Sequence, residues 1–299
     1  MSVVAPSTGG GPVEIAGLRL AHPVLNGSGT FDAIAAKRAF GGAMIERFPF
    51  SAFVSKTITN DPRAGNPPPR LYETPAGMIN SIGLPNKGLE GFLAIDLPQL
   101  AELGVPLIVS VMATSAEQFA ALVEAVAARE EGAAIELNVS CPNVKSCLIV
   151  GEQPAETEAL LGALRPLTRK PLITKLTPNT ADPAAVAAAA ERGGSDCVSL
   201  INTVKATAFD PISGEPWLGA GSGGLSGPAV RAAALDQVRR VVGEVEIPVI
   251  GMGGIETGAH ALDFIRAGAC AVAVGTANFR DPLAGERVRR QLAELTNPS

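Results

Sequence analysis

The 299-residue sequence lacks the features that mark several classes of protein. It has 24 Lys and Arg against 29 Asp and Glu, a formal net charge of −5, so a phosphate-neutralising nucleic-acid surface is not expected. No apolar run approaches the roughly 18 residues that a membrane span needs. Its first residues have no basic segment followed by an apolar core of the usual length. We therefore expect no signal peptide and a soluble, cytoplasmic protein.

Cysteine and histidine are also scarce, which limits the metal and nucleophile chemistry available. The two histidines, His22 and His260, lie in segments that we place away from the predicted strand ends, which disfavours a Cys/His hydrolase. The four cysteines form no CxxC pair or other cluster, so no zinc or iron–sulfur site held by this chain alone is expected. They are Cys141, Cys147, Cys197 and Cys270.

What is present is an apolar chain, 46% hydrophobic and 18% charged, that can bury a large core. Apolar or β-branched runs recur with helical patterns between them, and eight strand–helix units in series predict a (β/α)8 barrel in a single domain, residues 1–299. An open doubly wound sheet is the alternative, although eight units favour closure. The predicted strands are "PVLNGS" at 23, "AFVSKTIT" at 52, "PLIVSVMA" at 106, "AAIELNVS" at 133, "PLITKLT" at 171, "CVSLINT" at 197, "PVIGMGG" at 248 and "AVAVGT" at 271.

Two helices have clear start signals. "SAEQFAALVEAVAARE" places Ser115 and Gln118 as a capping box, and "DPAAVAAAAERGG" opens with Asp-Pro and ends at glycine. Before the first barrel strand, "VEIAGLRLAHPV" is typical of a short hairpin, which we expect to close the bottom of the barrel.

A long insertion rich in proline and glycine, residues 60–88, follows the second predicted strand. Loops of this length are usually functional or disordered. We predict a functional loop, because apolar anchors that a disordered linker would lack are spread along it. These anchors are Tyr72, Met78, Ile79, Ile82 and Leu84.

Barrels of this kind place their active site at the carboxyl ends of the strands, and the predicted strand ends are polar here. Lys56 and Lys175 each follow an apolar run, where an uncompensated ammonium costs several kcal/mol. Each lysine either pairs with a carboxylate or binds an anionic ligand. Two such lysines among few acidic strand-end residues favour the ligand.

Glycines at the ends of the last two predicted strands indicate a phosphate site. "GMGGI" and "VGTANF" leave backbone N–H groups open to an anion, at the position where barrels of this type gather phosphate. Turn chemistry alone is the alternative for each loop. "GAGSGGLSGPAV", residues 219–230, is a third glycine-rich segment whose backbone can approach a ligand closely. A phosphorylated cofactor or substrate is therefore predicted.

Cys141 differs from the other cysteines by its position. In "AAIELNVSCPNV" it follows a strand end and stands between Asn138 and Asn143, whereas Cys147, Cys197 and Cys270 are assigned structural roles. Without an imidazole partner, its thiol is suited to acting as a general base or acid on a carbon-bound proton.

These motifs together resemble the class 1 dihydroorotate dehydrogenases. "ELNVSCPN" is similar to the catalytic loop of that family, and further motifs match in the same order between about residues 13 and 282. They are "SKTIT", "GNPPPR", "ETPAGMINSIGLPN", "KLTPN", "SLINTVK", "GGLSGPA", "IPVIGMGGI" and "AVAVGTANF".

The resemblance implies an FMN-binding barrel that oxidises dihydroorotate to orotate in pyrimidine biosynthesis, with Cys141 as the base that removes the C5 proton. It implies that FMN is bound by Ser28, Lys56, Thr57, Asn138, Lys175, Ile201, Gly227, Gly253, Gly254, Gly275 and Thr276, the last four around its phosphate. It implies that the substrate is held by Lys56, Asn80, Ser81, Ile82, Gly83, Leu84, Asn138, Asn143, Asn202 and Thr203. No metal ligand is implied.

Two residues depart from the family pattern. Ser110 stands where relatives often have an asparagine against the flavin, and Cys147 stands where they tend to have glycine. "INTVK" and "GMGGI" resemble the branch that works with a second subunit carrying iron–sulfur and FAD and passes electrons to NAD, more than the branch that reduces fumarate. A homodimer is also expected.

Three other functions remain open on sequence grounds. A related flavin barrel acting on dihydrouracil-type substrates would turn over dihydrouracil but not dihydroorotate. A phosphosugar aldolase or isomerase would use Lys175 as a Schiff-base amine and would stay colourless with FMN. A non-catalytic scaffold would have no need of Cys141 beside two amides.

Overall fold

The computed structural model describes residues 10–139 and 150–296, with residues 44 and 45 described by their backbone alone. Its strands are β1 (Val13–Ile15), β2 (Leu18–Leu20), β3 (Val24–Asn26), β4 (Phe53–Val54), β5 (Leu71–Thr74), β6 (Gly77–Asn80), β7 (Leu107–Val111), β8 (Gly132–Asn138), β9 (Leu172–Lys175), β10 (Cys197–Leu200), β11 (Val204–Ala206), β12 (Gly223–Ser226), β13 (Val249–Met252) and β14 (Ala271–Val274).

Eight parallel strands form the barrel, and each lies within one of the eight predicted runs, except that β8 begins one residue earlier, at Gly132. They follow the order β3-β14-β13-β10-β9-β8-β7-β4. Buried residues fill most positions of these strands, as expected for a parallel sheet covered on both faces. The predicted (β/α)8 fold is confirmed.

The barrel is closed between β3 and β4 by a side chain. Asn26 Nδ2 donates to the Val54 carbonyl at 2.8 Å, and the Val54 N–H donates to Asn26 Oδ1 at 2.8 Å. The Ser51 N–H also donates to the Val24 carbonyl at 3.1 Å. The fully buried Asn26 side chain thus supplies hydrogen bonds that backbone groups of β3 and β4 would otherwise make to each other.

The barrel interior is packed in layers contributed by alternate strands. One layer is apolar and consists of Leu25, Ile108, Ile173 and Ile250. The layer above it, nearer the carboxyl ends, comes from the other four strands and consists of Val54, Glu136, Ser199 and Ala273. Two polar side chains therefore lie deep inside the barrel, Glu136 at 3% and Ser199 at 1% exposure.

The predicted hairpin at the barrel bottom is confirmed. Strands β1 and β2 pair antiparallel, with Val13 opposite Leu20. Val13, Ile15 and Leu20 pack in the same apolar cluster as interior residues such as Ala134 and Cys197. The hairpin therefore excludes water from the amino-terminal end of the barrel.

Helices cover the outside of the barrel and pack on it through two further apolar clusters. They are α1 (Ala33–Phe40), α2 (Gly42–Glu46), α3 (Gly88–Gly91), α4 (Leu97–Ala101), α5 (Ala116–Ala127), α6 (Pro154–Leu164), α7 (Pro183–Arg192), α8 (Arg231–Val242), α9 (Gly258–Arg266), α10 (Ala277–Arg280) and α11 (Ala284–Thr296). Among the described residues, no helix combines the length and apolar character needed to cross a membrane.

The two predicted helix starts are present, one of them in modified form. Asp182 caps α7 by accepting from the Ala184 N–H at 3.1 Å. Ser115 Oγ caps α5 by accepting from the Gln118 N–H at 3.3 Å. The Gln118 side chain does not complete the capping box, because its Oε1 accepts from the Thr114 N–H at 3.1 Å instead.

The predicted insertion is not a simple loop. Its residues form the antiparallel hairpin β5–β6, which joins β12 and β11 in a four-stranded sheet of order β11-β12-β6-β5. Ile79 of this insertion is buried, and the Tyr72 ring lies edge-on to Trp217 with ring centroids 5.8 Å apart. The insertion is thus an ordered wall above the carboxyl end of the barrel.

Candidate active site

A cavity of about 360 Å³ opens at the carboxyl ends of the barrel strands, between the barrel and the second sheet. This volume lies within the range of small-molecule and cofactor sites, about 300 to 1,000 Å³. Every residue predicted to bind the cofactor lines it: Ser28, Lys56, Thr57, Asn138, Lys175, Ile201, Gly227, Gly253, Gly254, Gly275 and Thr276.

Most residues predicted to bind the substrate line the same cavity. Ser81 does not: it is fully buried, and its hydroxyl accepts from Asn66 Nδ2 at 3.0 Å. Asn143 lies outside the described residues, as do Cys141 and Cys147. The residues brought to the cavity are Lys56, Asn80, Ile82, Gly83, Leu84, Asn138, Asn202 and Thr203.

The two strand-end lysines differ in their surroundings. Lys175 is 6% exposed, and no carboxylate of the described residues forms an ion pair with it. Lys56 is exposed at the cavity; partial burial lowers its pKa, and the Asp32 charge opposes that shift. Since burying an unpaired ammonium is costly, Lys175 in particular fits an anionic or electron-rich ligand in the cavity.

A run of hydroxyl groups lies in the cavity wall. Thr57 Oγ1 is 2.9 Å from both Ser28 Oγ and Ser110 Oγ, and it accepts from Asn138 Nδ2 at 3.3 Å. Ser110 Oγ donates to Glu136 Oε1 at 2.8 Å. Ser110, the residue that departs from the family pattern, is therefore buried within the wall and links it to the barrel interior.

The predicted phosphate loops meet at one end of the cavity. Gly227, Gly253 and Gly254 have φ angles of 94°, 132° and 69°, conformations that an L side chain rarely adopts. Thr276 Oγ1 donates to Ser226 Oγ at 2.9 Å and thereby joins two of these loops. Glycine backbone and hydroxyl groups facing a cavity are suited to a phosphate group.

Two glycines bring the second sheet against the barrel mouth. A Cβ at Gly224 would lie 1.9 Å from Thr203 Oγ1, and a Cβ at Gly223 would lie 2.3 Å from the Asn80 carbonyl oxygen. Asn80 Nδ2 donates to the Gly224 carbonyl at 3.2 Å. The motif "GGLSGPA" therefore positions two candidate substrate residues, one from the insertion and one from the barrel.

Several lining residues were missed by the sequence analysis. Ser226 and Val230 fall inside the quoted glycine-rich segment, and Met252 falls inside "GMGGI", so the motifs contain them although their side chains were not singled out. Leu71 and Phe279 also line the cavity while 51% and 57% exposed. Phe279 falls inside the quoted segment "VGTANF", whereas nothing in the local sequence distinguishes Leu71 from an ordinary surface residue.

The described cysteines fit their assigned structural roles. Cys197 is fully buried, and burial raises the pKa of its thiol. Burial raises the pKa of Cys270 to about 12. Neither side chain lines the cavity, so neither thiol is available there as a nucleophile or base.

Comparison with known sequences identifies the family. The family model for dihydroorotate dehydrogenase matches residues 12–296. The chain belongs to the dihydroorotate dehydrogenase family. It is 47% identical over 290 residues to a dihydroorotate dehydrogenase B (NAD(+)) catalytic subunit from Desulforudis audaxviator, covering 94% of this chain and 91% of that protein. A subunit of the same name from Geobacter metallireducens is 42% identical over 286 residues, covering 94% and 92% of the two chains.

A solved structure shows the same fold. The dihydroorotate dehydrogenase of Eimeria tenella, determined in complex with ferulenol, superposes with a TM-score of 0.77 at 24% identity, covering 95% of this chain and 84% of that one. Members of the dihydroorotate dehydrogenase family are FMN-dependent oxidoreductases that oxidise dihydroorotate in pyrimidine biosynthesis. The reaction and cofactor expected from the sequence are thus confirmed, and the aldolase and scaffold alternatives are set aside.

Proposed function

We propose that this single barrel domain, residues 1–299, oxidises dihydroorotate to orotate with the residues around the 360 Å³ cavity as its binding site. The observation that supports this most strongly is the buried Lys175. Its ammonium lies in the wall of a cavity that also contains three positive-φ glycines, and it has no ion-pair partner among the described residues. A cavity with a cation on one side and open glycine loops at one end suits a phosphorylated, electron-accepting cofactor.

The residues present fit FMN. Gly253, Gly254, Gly275 and Thr276 would hold its phosphate through backbone N–H groups and a hydroxyl. Lys175 would contact the isoalloxazine ring, where a positive charge would stabilise the reduced form. Bound FMN supplies the hydride acceptor of the reaction. The other groups assigned to FMN are Ser28, Lys56, Thr57, Asn138, Ile201 and Gly227.

The substrate would lie between the cofactor and the insertion. Neutral amides at Asn80, Asn138 and Asn202, with Asn143, are suited to the carbonyl and N–H groups of a planar pyrimidine ring. The Lys56 ammonium would neutralise the negative charge of the substrate. Ser81, Ile82, Gly83, Leu84 and Thr203 complete the assigned set, Ser81 by supporting its neighbours from a buried position.

Cys141 would act as the general base. In this role its thiolate removes the proton at C5 of dihydroorotate while a hydride leaves C6, and orotate is released. The described residues that line the cavity include no histidine, aspartate or glutamate, and the two lysines there are assigned to binding.

We further propose that the chain works in the cytoplasm as a homodimer with a second, iron–sulfur- and FAD-containing subunit that passes electrons to NAD. The second subunit is supported by the two relatives at 47% and 42% identity, each of which is the catalytic subunit of an NAD(+)-linked enzyme. Fumarate is the alternative acceptor.

Steady-state turnover with an artificial electron acceptor tests the substrate. We expect the FMN-loaded protein to oxidise dihydroorotate and to leave dihydrouracil unchanged. The positive charge of a lysine in the site would bind the carboxylate of dihydroorotate, which dihydrouracil lacks. Turnover of dihydrouracil without turnover of dihydroorotate would assign the chain to the related flavin barrels instead. Reduction of NAD only after addition of the second subunit would support the proposed partner, and direct reduction of fumarate would exclude it.

A further inference from the structure

Four candidate ligand residues lie on one continuous hydrogen-bonded chain in the cavity wall. The chain begins at the Thr203 N–H, which donates to Asn202 Oδ1 at 2.8 Å. Asn202 Nδ2 is 3.5 Å from Asn138 Oδ1, and Asn138 Nδ2 donates to Thr57 Oγ1 at 3.3 Å. Ser110 Oγ follows at 2.9 Å and donates to Glu136 Oε1 at 2.8 Å.

The two ends of this chain set its direction. A backbone N–H can only donate. Ser110 uses its single proton in the hydrogen bond to the Glu136 carboxyl group, so at its 2.9 Å contact with Thr57 the Ser110 oxygen accepts and Thr57 is the donor. Ser28 Oγ, also 2.9 Å from Thr57 Oγ1, is a second acceptor available to the same proton. Thr57 Oγ1 must then accept from an N–H of Asn138. The Asn138 amide is therefore held with its nitrogen toward Thr57 and its oxygen toward Asn202.

Of these two links to Asn138, the one that leads to Glu136 has the shorter hydrogen bonds. Its links measure 2.8, 2.9 and 3.3 Å, whereas the Asn202 link of 3.5 Å is at the limit of a hydrogen bond. Without an acceptor beyond Ser110, the Ser110 hydroxyl could reverse and donate to Thr57, and the Thr57 proton would then be shared between Ser28 and an inverted Asn138 amide. Such an inversion exchanges a donor for an acceptor at the cavity wall.

We propose that Glu136 is a positioning residue, which acts through Ser110 and Thr57 to fix the donor and acceptor orientation of the Asn138 amide. Glu136 is 3% exposed and does not line the cavity, so it acts without touching the ligand. The benefit to binding rests on the proposed function, in which Asn138 contacts the pyrimidine ring. The serine at position 110, which departs from the family pattern, is then the required link and not a lost flavin contact.

The orientation itself can be measured without any substrate. Selective ¹⁵N labelling of asparagine gives side-chain amide resonances of the full-length protein as isolated, and Asn138→Asp identifies that of Asn138 by its loss. We expect Ser110→Ala and Glu136→Gln to shift this resonance. Ser199→Ala is the matched control, because Ser199 shares the interior layer of Glu136 but its hydroxyl has no hydrogen-bond partner among the described residues. An Asn138 resonance that neither test variant shifts would overturn the proposal.

Orotate binding to the FMN-loaded protein, followed by perturbation of the flavin spectrum, measures the consequence. We expect Ser110→Ala to raise the orotate dissociation constant by about tenfold, the scale of one buried hydrogen bond, and Glu136→Gln to raise it less, because glutamine keeps a neutral acceptor. In an Asn138→Ala background neither substitution should have a further effect. Equal losses in both backgrounds would show that Glu136 acts elsewhere.

The amide resonance and the orotate affinity test the role of Glu136 and the proposed function separately. If the wild-type holoenzyme gives no response to orotate, the proposed function fails, while the amide resonance still decides the role of Glu136. If Ser110→Ala does not fold, because it leaves a buried carboxylate without its donor, Glu136→Gln supplies both measurements.

Discussion

Lys175 and Lys170 lie at opposite ends of the same barrel strand and show how position decides what a lysine does. Lys170 precedes β9, and its Nζ donates to the Arg129 carbonyl at 2.6 Å and to the Gly132 carbonyl. Lys175 ends β9, is almost fully buried and has no ion-pair partner among the described residues. The hydrogen bonds of Lys170 are thus made to backbone carbonyl groups of the protein, whereas the charge of Lys175 is available to a ligand.

This difference predicts opposite effects of Lys175→Met on binding and on stability. We expect the FMN dissociation constant to rise by about 10- to 100-fold, the range for a charged hydrogen bond. The thermal midpoint of the FMN-free protein should stay the same or rise, because an unpaired buried charge is removed. Flavin fluorescence titration and thermal unfolding measure the two quantities.

Lys170→Met is the control for that experiment. It should leave the affinity for FMN unchanged and lower the thermal midpoint, since two carbonyl groups lose their donor. Unchanged FMN affinity in Lys175→Met, or a fall in its stability without FMN, would contradict the assigned role.

At the residue scale, the sequence predicted the site well wherever position along a strand was sufficient. The carboxyl ends of parallel strands must meet, so a polar residue at a strand end, such as Lys175 or Thr276, is placed by the fold alone. The link from Glu136 to Asn138 could not be predicted, because it depends on the registers of three strands and on side-chain rotamers. Ser81 was assigned to the substrate set by its motif, although its side chain faces inward.

At the scale of elements, the junction of the barrel bottom with α11 contains a titratable group. His22 precedes β3, and its Nδ1 accepts from the Val24 N–H at 3.3 Å. Burial and the positive charge of Arg289 lower the pKa of His22 from 6.5 to about 4, and Glu286 opposes the shift. Arg289 and Glu286 both lie on α11, so the pKa of His22 depends on the packing of that helix against the barrel.

This pKa shift predicts a loss of stability in mild acid. Between pH 6.5 and about 4 the unfolded chain binds a proton at His22 that the folded protein does not. Stability therefore falls as the pH is lowered through that window, by about 1–2 kcal/mol after allowance for the partial exposure of the ring. Urea unfolding at a series of pH values measures it.

His22→Asn keeps an acceptor for the Val24 N–H and should remove this part of the pH dependence. His260→Asn, on the surface helix α9, should leave most of it in place. If the wild type and His22→Asn lose stability in parallel between pH 6.5 and 4, the histidine does not contribute.

The elements of the barrel were predictable, and those of the second sheet were not. Each barrel strand is a compact apolar run flanked by helical patterns, which is a local signal. Strands β5, β6, β11 and β12 are as short as most barrel strands but contain glycine or polar residues where the barrel strands have continuous apolar runs. They are stabilised by pairing between segments far apart in sequence, for example Asn80 with Gly224, which no local pattern records.

At the scale of the whole molecule, the barrel and the second sheet divide the work of the site. The barrel supplies the glycine loops and Lys175 on one side of the cavity, and the insertion supplies Asn80 to Leu84 on the other. The exposed apolar residues Leu71 and Phe279 at the rim leave the cavity close to the surface. The cavity is therefore built from two elements that lie on opposite sides of the bound ligands.

We propose that this chain uses FMN bound in its cavity to oxidise dihydroorotate, with Cys141 as the base. The most direct test is to mix the FMN-loaded protein with dihydroorotate without oxygen and to record the flavin absorbance. The account predicts loss of the oxidised flavin band in the wild type, and in Cys141→Ala a retained flavin that is reduced about 10² to 10⁴ times more slowly near neutral pH. A wild-type flavin that stays oxidised, or a Cys141→Ala variant reduced at the wild-type rate, would contradict it.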